Sequence, residues 1–309
     1  AYYPWLGKIN TSAKKEFFMI YTVTFNPAVD YVLRLPSLNG GSVNRTASEK
    51  ICWGGKGINV SYVLKMLGTE STAWGFAAGF TGAALTEAVK EMGISADFIT
   101  LDEGFTRICV KLFETDSARE TEINPGGPVI SSEAIDKLLK KTDTLKSGDI
   151  LAGSVPKSVP EDIYETICRR LENSGVLIAA DASGSLLTKL LKYKPFLIKP
   201  NHHEASELLG CPIYNADQAE ACALRLRVMG ASNVIVSMAE NGSVLAAEDA
   251  NVYRIGAPKG TAVNSVGAGD SMLAGFIAGY INTKNYETAL KWGTAAGSAT
   301  AFSAGLADR

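Results

Sequence analysis

The chain has 309 residues, enough for one large or two medium domains; 46% are hydrophobic and 20% charged, which excludes a disordered, collagenous or coiled-coil protein. The net charge of −2 argues against a nucleic-acid or anionic-membrane surface. The five cysteines (Cys52, Cys109, Cys168, Cys211, Cys222) are scattered and never spaced C-x-x-C, which argues against a disulfide framework or zinc site and suits a reducing cytoplasm.

Residues 1–18 lack a signal peptide's apolar stretch and precede Met19, so they read as an extension or expression remnant outside the fold. From Met19 the chain alternates strand and helix patterns. MIYTVTF (19–25) is β-branched and aromatic. Residues 31–53 are polar and turn-rich. In INVSYVLKMLG, Val60, Val63, Leu64 and Leu67 share one helical face. RICVKLF (107–113) alternates, with Ile108, Val110 and Leu112 on one side and Arg107, Cys109 and Lys111 on the other, so 106–124 reads as a hairpin. DILAG, VLIAAD, FLIKP and NVIVSM are short and nearly all apolar, as strands covered on both faces must be. Pro160 opens a helix with Glu161 and Asp162 in its first turn and Arg169 and Arg170 near its end, and Gly175 is its stop. The pattern predicts an α/β fold with a mostly parallel sheet between helices. One domain over 19–309 would carry a small antiparallel lid built near 31–53 and 106–124.

Four segments offer chemistry. In NSVGAGDSMLAGF (264–276) a Gly-rich turn opens a helix, which aims backbone N–H groups at an oxyanion, and Asp270 falls in the first turn. Asp270 reads either as a reacting group or as a helix-terminal charge. In WGGKGINVSYVLKMLG (53–68) Gly55 allows close backbone approach, Lys56 offers a cation and Asn59 an amide for sugar hydroxyls; a plain turn with a solvated lysine is the even alternative. In KPNHHE, Asn201 and Glu204 suit either a hydrated Mg²⁺ or a capping box, and His202 and His203 read as surface or packing residues. SMAENG (237–242) would border a nucleotide base or be an ordinary loop. G-x-x-x-x-G-K-[ST] is absent and GAGDSM lacks the third glycine of G-x-G-x-x-G, which argues against a P-loop ATPase or a dinucleotide-binding dehydrogenase.

In this order the segments resemble the ribokinase-like carbohydrate kinases, over residues 19 to about 303. GGKGINVSYVLKMLG and NSVGAGDS are similar to that family's two signatures. MIYTVTFNPAVDYV, TEINPGGP, LAGSVP, KPNHHE and VIVSMAENG are similar to its 1-phosphofructokinase branch, of which the tagatose-6-phosphate kinases are close relatives. The resemblance implies a three-layer ribokinase-like fold, ATP and Mg²⁺ as cofactors, and a homodimer formed partly through the lid. It implies transfer of a phosphoryl group from ATP to D-fructose 1-phosphate, with tagatose 6-phosphate, or a non-catalytic sugar-phosphate sensor, as alternatives. By resemblance Asp270 is the catalytic base, and Gly267, Ala268 and Gly269 form an anion hole that also touches ATP. Asp30 grips sugar hydroxyls, and Gly55, Lys56 and Asn59 form the sugar-phosphate site. Arg107, and more weakly Arg45, reach substrate phosphate from the lid. Ser237 and Gly242 line the nucleotide side, and Asn201 and Glu204 hold Mg²⁺ through water. An aspartate at its usual pKa near ~4 would serve as a weak base for late proton transfer.

Overall fold

The computed structural model describes residues 18–154, 162–181 and 184–308. The chain runs β1 (Ile20–Thr24), β2 (Ala28–Leu35), β3 (Ser48–Gly54), α1 (Lys56–Met66), β4 (Thr72–Ala78), α2 (Gly79–Glu91), β5 (Ser95–Leu101), β6 (Arg107–Glu114), β7 (Arg119–Ile123) and α3 (Ser132–Thr142). It continues through β8 (Ile150–Ser154), α4 (Ile163–Arg170), β9 (Leu177–Ala180), α5 (Gly184–Leu191), β10 (Leu197–Ile198), α6 (His202–Leu209), α7 (Ala216–Val228) and β11 (Asn233–Ser237). Then come β12 (Ser243–Ala246), β13 (Val252–Ile255), α8 (Ala268–Thr283) and α9 (Tyr286–Ala301).

Nine strands form one sheet in the order β13-β12-β11-β10-β9-β8-β1-β4-β5, all parallel except β12, which runs antiparallel between β11 and β13 near one edge. The apolar runs are buried on both faces, as a sheet between helices requires. Val23, Phe25 and Phe76 pack with Leu138, Ile167 and Leu226 on one side. Ile20 packs with Val60, Leu64, Phe276 and Leu290 on the other. On the face towards α1, strand β1 follows Ile20 with two threonines. Thr22 Oγ1 lies 2.8 Å from Ser61 Oγ, and Thr24 Oγ1 accepts from the Ile58 N–H at 3.1 Å, so helix and strand are pinned together.

Strand order reverses about β1, which has β4 on one side and β8 on the other. Loops at the carboxyl ends of parallel strands diverge at such a point and leave a crevice. Asp181, Lys199 and Ser237 all sit at those carboxyl ends. β10 is only two residues long, because Pro200 has no N–H to continue the ladder; the chain makes one further bridge, Asn201 to Ser237.

The second sheet has the order β3-β2-β6-β7. The predicted hairpin is β6–β7, antiparallel, and β2–β3 is a second antiparallel pair. The two hairpins join through a parallel β2–β6 pairing, so the lid is antiparallel-rich and not purely antiparallel. The alternation in β6 also points the other way from a simple amphipathic reading. Cys109, on the side of Arg107 and Lys111, is 2% exposed, while Ile108, Val110 and Leu112 are only half-buried. Arg107 and Lys111 are half-buried too, and Glu114 on the opposite side is 3% exposed, so β6 has no cleanly exposed face.

Pro160 and Glu161, expected to open a helix, lie outside the described residues. α4 ends at Arg170, before Gly175, because Asn173 turns left-handed (φ 61°) and breaks the helical run early. Gly175 (φ 78°) instead packs on Ser147, whose Oγ would lie 2.3 Å from any Cβ there.

Candidate active site

Two helix N-termini meet in the crevice. α8 opens at Gly267, whose φ of 80° is left-handed and whose Cβ would lie 2.6 Å from Leu306. Ala268, Gly269 and Asp270 follow as its first turn, where N–H groups without an intrahelical partner and the helix dipole favour negative charge, although the Ala268 N–H already donates to Ser265 O at 3.2 Å. α1 opens after Gly55 (φ 144°), where a Cβ would lie 2.5 Å from Thr24 Cγ2, so the backbone enters tight against β1.

Asp270 is buried, 6% exposed, and its carboxylate accepts a 2.8 Å hydrogen bond from Asn59 Nδ2. The two residues are 211 positions apart, on helices that pack together. Burial, then repulsion from Asp181, raise the Asp270 carboxyl to a pKa of about 6, against the pull of Asn59, Lys56 and Lys199. The expectation of an ordinary pKa is thereby corrected. Few waters reach this carboxylate, and a second carboxylate lies near it.

That second carboxylate organises the cations. Lys56 Nζ lies 3.0 Å from Asp181 Oδ2, and Lys199 Nζ lies 3.4 Å from Asp181 Oδ1. Lys199 is 4% exposed, and a Cβ on Gly269 would sit 3.2 Å from its Nζ, so its ammonium lies against the first turn of α8. Burial pushes the Asp181 carboxyl up; Lys199 and then Lys56 outweigh it and hold it below the usual carboxylate range. Burial disfavours the Lys56 ammonium, but Asp181, Asp270 and Glu204 outweigh it and raise its pKa. The sequence reading assigned no role to Asp181 or Lys199. Their signal was a lone charge ending an otherwise apolar strand, as in VLIAAD and FLIK.

Asn201 and Glu204 form a complete capping box on α6. Glu204 N–H donates to Asn201 Oδ1 at 2.9 Å, and Asn201 N–H donates to Glu204 Oε2 at 2.8 Å. Among the described residues no cluster of three His, Cys, Asp or Glu side chains is placed to ligate a metal directly. Ser237 closes β11 and donates its N–H to Pro200 O at 3.2 Å, which ties the two strand ends together. Gly242 (φ 85°) makes the following turn, where any Cβ would fall 2.1 Å from Ile255 O. The rings of His202 and His203 lie with centroids 3.9 Å apart, tilted by 38°.

The lid supplies the remaining predicted residues. Asp30 of β2 pairs in register with Cys52 and Cys109, and its Oδ2 lies 3.3 Å from Lys111 Nζ. Arg107 donates to Asn26 O at 3.2 Å, and its Nε is buried without a hydrogen-bond partner. Arg45 lies on the exposed loop between β2 and β3.

Residues 21–308 match the pfkB family carbohydrate kinases. A 1-phosphofructokinase of Bacillus subtilis is 45% identical over 92% of this chain and 93% of its own length. A D-tagatose-1-phosphate kinase of Bacillus licheniformis is 35% identical over 94% of this chain and 95% of its own. The solved structure of Arabidopsis thaliana ribokinase superposes with a TM-score of 0.79 at 20% identity, over 94% of this chain and 96% of that one, and so shares the fold. With two-thirds of its length and more aligned to such relatives, and with the family's match spanning both helix N-termini of the crevice, the chain belongs to the pfkB family of carbohydrate kinases.

Proposed function

We propose that the chain transfers the γ-phosphoryl group of ATP to the 6-hydroxyl of D-fructose 1-phosphate, giving ADP and D-fructose 1,6-bisphosphate. The observation that carries this reading is the buried Asp270 carboxylate at the N-terminus of α8, with two lysines beside it. Above pH ~6 the carboxylate is ionised, so at neutral pH it accepts the hydroxyl proton as that oxygen attacks phosphorus. The Asn59 amide holds it in place. The transition state of phosphoryl transfer spreads charge over peripheral oxygens, so the protein contributes mainly position and positive potential. The N–H groups of Gly267 and Gly269 provide potential from one side, and the Ala268 N–H would join them on leaving Ser265 O. Lys56 and Lys199, held by Asp181, are placed to turn towards phosphate. Asp30 and Arg107 grip the sugar phosphate from the lid, with Gly55 and Arg45 at its margins. Ser237 and Gly242 border the nucleotide. Closure of the lid excludes water that would otherwise hydrolyse ATP.

Asn201 and Glu204 would hold Mg²⁺ through its water shell. Asn201 Oδ1 and Glu204 Oε2 already serve the capping box, which leaves Glu204 Oε1 to meet a metal-bound water. When bound, the ion neutralises charge on the phosphates. Glutamine preserves a capping box but not the charge. Glu204→Gln should therefore raise the Mg²⁺ concentration for half-maximal rate by about tenfold or more, with little change in melting temperature. Unaltered Mg²⁺ dependence would leave Glu204 a cap alone.

The greater identity to a 1-phosphofructokinase (45%) than to a tagatose-phosphate kinase (35%) favours the fructose configuration. The two sugars differ at C4, where buried polar groups left unpaired discriminate by up to ~10⁴. In coupled assays kcat/KM should be highest for fructose 1-phosphate, lower for tagatose 6-phosphate and lowest for unphosphorylated hexoses. A higher value for tagatose 6-phosphate would overturn the substrate assignment and leave the kinase reading standing.

The outer side of the lid carries the cross-strand row Ile51, Tyr31, Val110 and Ile123, with Ile51 53% and Ile123 56% exposed. This apolar row is where we place the subunit contact of a homodimer; light scattering at the mass of one chain would contradict it. The free thiols suit a cytoplasmic enzyme, and among the described residues no helix is long and apolar enough to cross a membrane.

A further inference from the structure

The inner face of the lid holds a cation that none of the motifs announces. Lys111 of β6 lies on the same face as Arg107 and Cys109, and in register with Val32 of β2. Its Nζ is 3.3 Å from Asp30 Oδ2 and 3.9 Å from Glu122 Oε1. Lys111 and Asp30 expose 25% and 18% of their side chains, so the pair is largely desolvated yet within reach of a ligand. Gly54 closes the other side of the same oxygen, since a Cβ there would lie 2.6 Å from Asp30 Oδ2. The missing Cβ is what makes room for the carboxylate in this orientation.

Oδ2 is thus fenced between an ammonium and a glycine backbone, and Oδ1 is the oxygen left to face a sugar. We propose that Lys111 is a positioning residue for substrate recognition, which keeps Asp30 charged and turned so that it accepts hydroxyl groups of the sugar phosphate. The proposal rests on Asp30 being the acid that grips the sugar. It gives Lys111 a role through Asp30 and not as a ligand of the substrate phosphate.

The charges around Asp30 support this division. Burial raises its carboxyl, and Glu122 from β7 adds to the rise; Lys111 and, more weakly, Arg107 from β6 oppose them. The thiols of Cys109 and Cys52 flank it on the neighbouring strands and bring no positive charge. Lys111 is therefore the main cation opposing protonation of Asp30. Without it, burial and Glu122 act against Arg107 alone, and the carboxyl would protonate at higher pH. A protonated Asp30 loses one acceptor and most of its strength towards hydroxyls.

The test is calorimetric titration of fructose 1-phosphate without nucleotide, so that proton transfer to Asp270 does not enter. The proteins are the wild type, Lys111→Met, Lys111→Arg, Asp30→Asn and the double variant Asp30→Asn/Lys111→Met. Lys111→Met should weaken binding about tenfold, between the effects of an exposed and a fully desolvated charge pair. Lys111→Arg should recover most of it. The affinity of Lys111→Met should also fall away at a higher pH than that of the wild type. The ligand's own second ionisation, near pH ~6, is common to all variants and cancels in the comparison. The double variant should bind no more weakly than Asp30→Asn alone, because Lys111 has nothing to act on once the carboxylate is gone. Additive losses would overturn the proposal and place Lys111 on the ligand itself. Wild-type affinity in Lys111→Met would also overturn it. Unaltered affinity in Asp30→Asn would remove the reading of Asp30 on which the proposal stands, while leaving phosphoryl transfer at Asp270 untouched.

Discussion

Asp270→Asn should lower kcat by about 10²–10⁴-fold and at the same time make the protein harder to unfold at neutral pH. The first effect follows from loss of the base. The second follows from the sign of the pKa shift. The folded protein holds this carboxyl at about 6, above its ordinary value of 3.8, so ionisation favours the unfolded chain. The native state is free of that penalty below pH ~4, acquires it as pH rises to ~6, and carries about 3 kcal/mol of it above. Asparagine removes the charge and keeps an oxygen for the Asn59 amide. The variant's melting temperature should therefore exceed the wild type's by several degrees at pH 7.5, and the gap should close by pH 4. Stability given up at a reacting group is a common cost of function. Calorimetry across pH on both proteins checks it. Near-wild-type kcat, or a gap that does not depend on pH, would remove Asp270 from the role of a buried base.

Asp181→Asn should move stability in the opposite sense. Asp181 is the partner of both Lys56 and Lys199, and Lys199 is 4% exposed. Removing the carboxylate leaves the buried Lys199 ammonium unpaired, which costs about 3–5 kcal/mol, whereas Lys56, 55% exposed, turns to water. The shift of Asp181 is downward, so its contribution is complete above the unfolded value of 3.8 and fades as pH falls below it. The loss in Asp181→Asn should thus be full at pH 7 and shrink progressively as pH falls below 3.8. Activity gives an independent readout. Asp181 raises the Asp270 carboxyl, so its removal should shift the acid limb of kcat to lower pH. Chemical denaturation at several pH values, with a pH–rate profile of the same variant, measures both. A variant as stable as wild type at pH 7 would mean that the lysines find other partners and that Asp181 does not organise them.

Local pattern revealed much of this protein. The apolar runs became strands of a sheet covered on both faces, and Val60, Val63 and Leu64 became the buried side of α1. The Gly-rich turns before α1 and α8 were legible because glycine carries their backbone geometry directly. What local pattern could not show was pairing at long range. Lys56 and Asp181 are 125 residues apart, and each taken alone is one more charged residue. The parallel β2–β6 pairing hides behind α1, β4, α2 and β5, which lie between the two strands in sequence. The basicity of Asp270 was misjudged for the same reason. Burial and a neighbouring carboxylate set it, and neither is written beside GAGD.

Asn201 and Glu204 mark a different limit. The spacing fits a capping box strongly and a metal-associated motif as the alternative, and the box forms in full. One helix cap thereby fixes the orientation of a carboxylate at the mouth of the crevice, so the two readings share one geometry.

The most direct test of the account is to identify what the enzyme makes. Phosphorus NMR of a reaction with ATP, Mg²⁺ and fructose 1-phosphate should show one new phosphate monoester on carbon 6 for each ADP released. ADP release accompanied by inorganic phosphate, or a new ester on any other carbon, would contradict the placement of the sugar's 6-hydroxyl at Asp270.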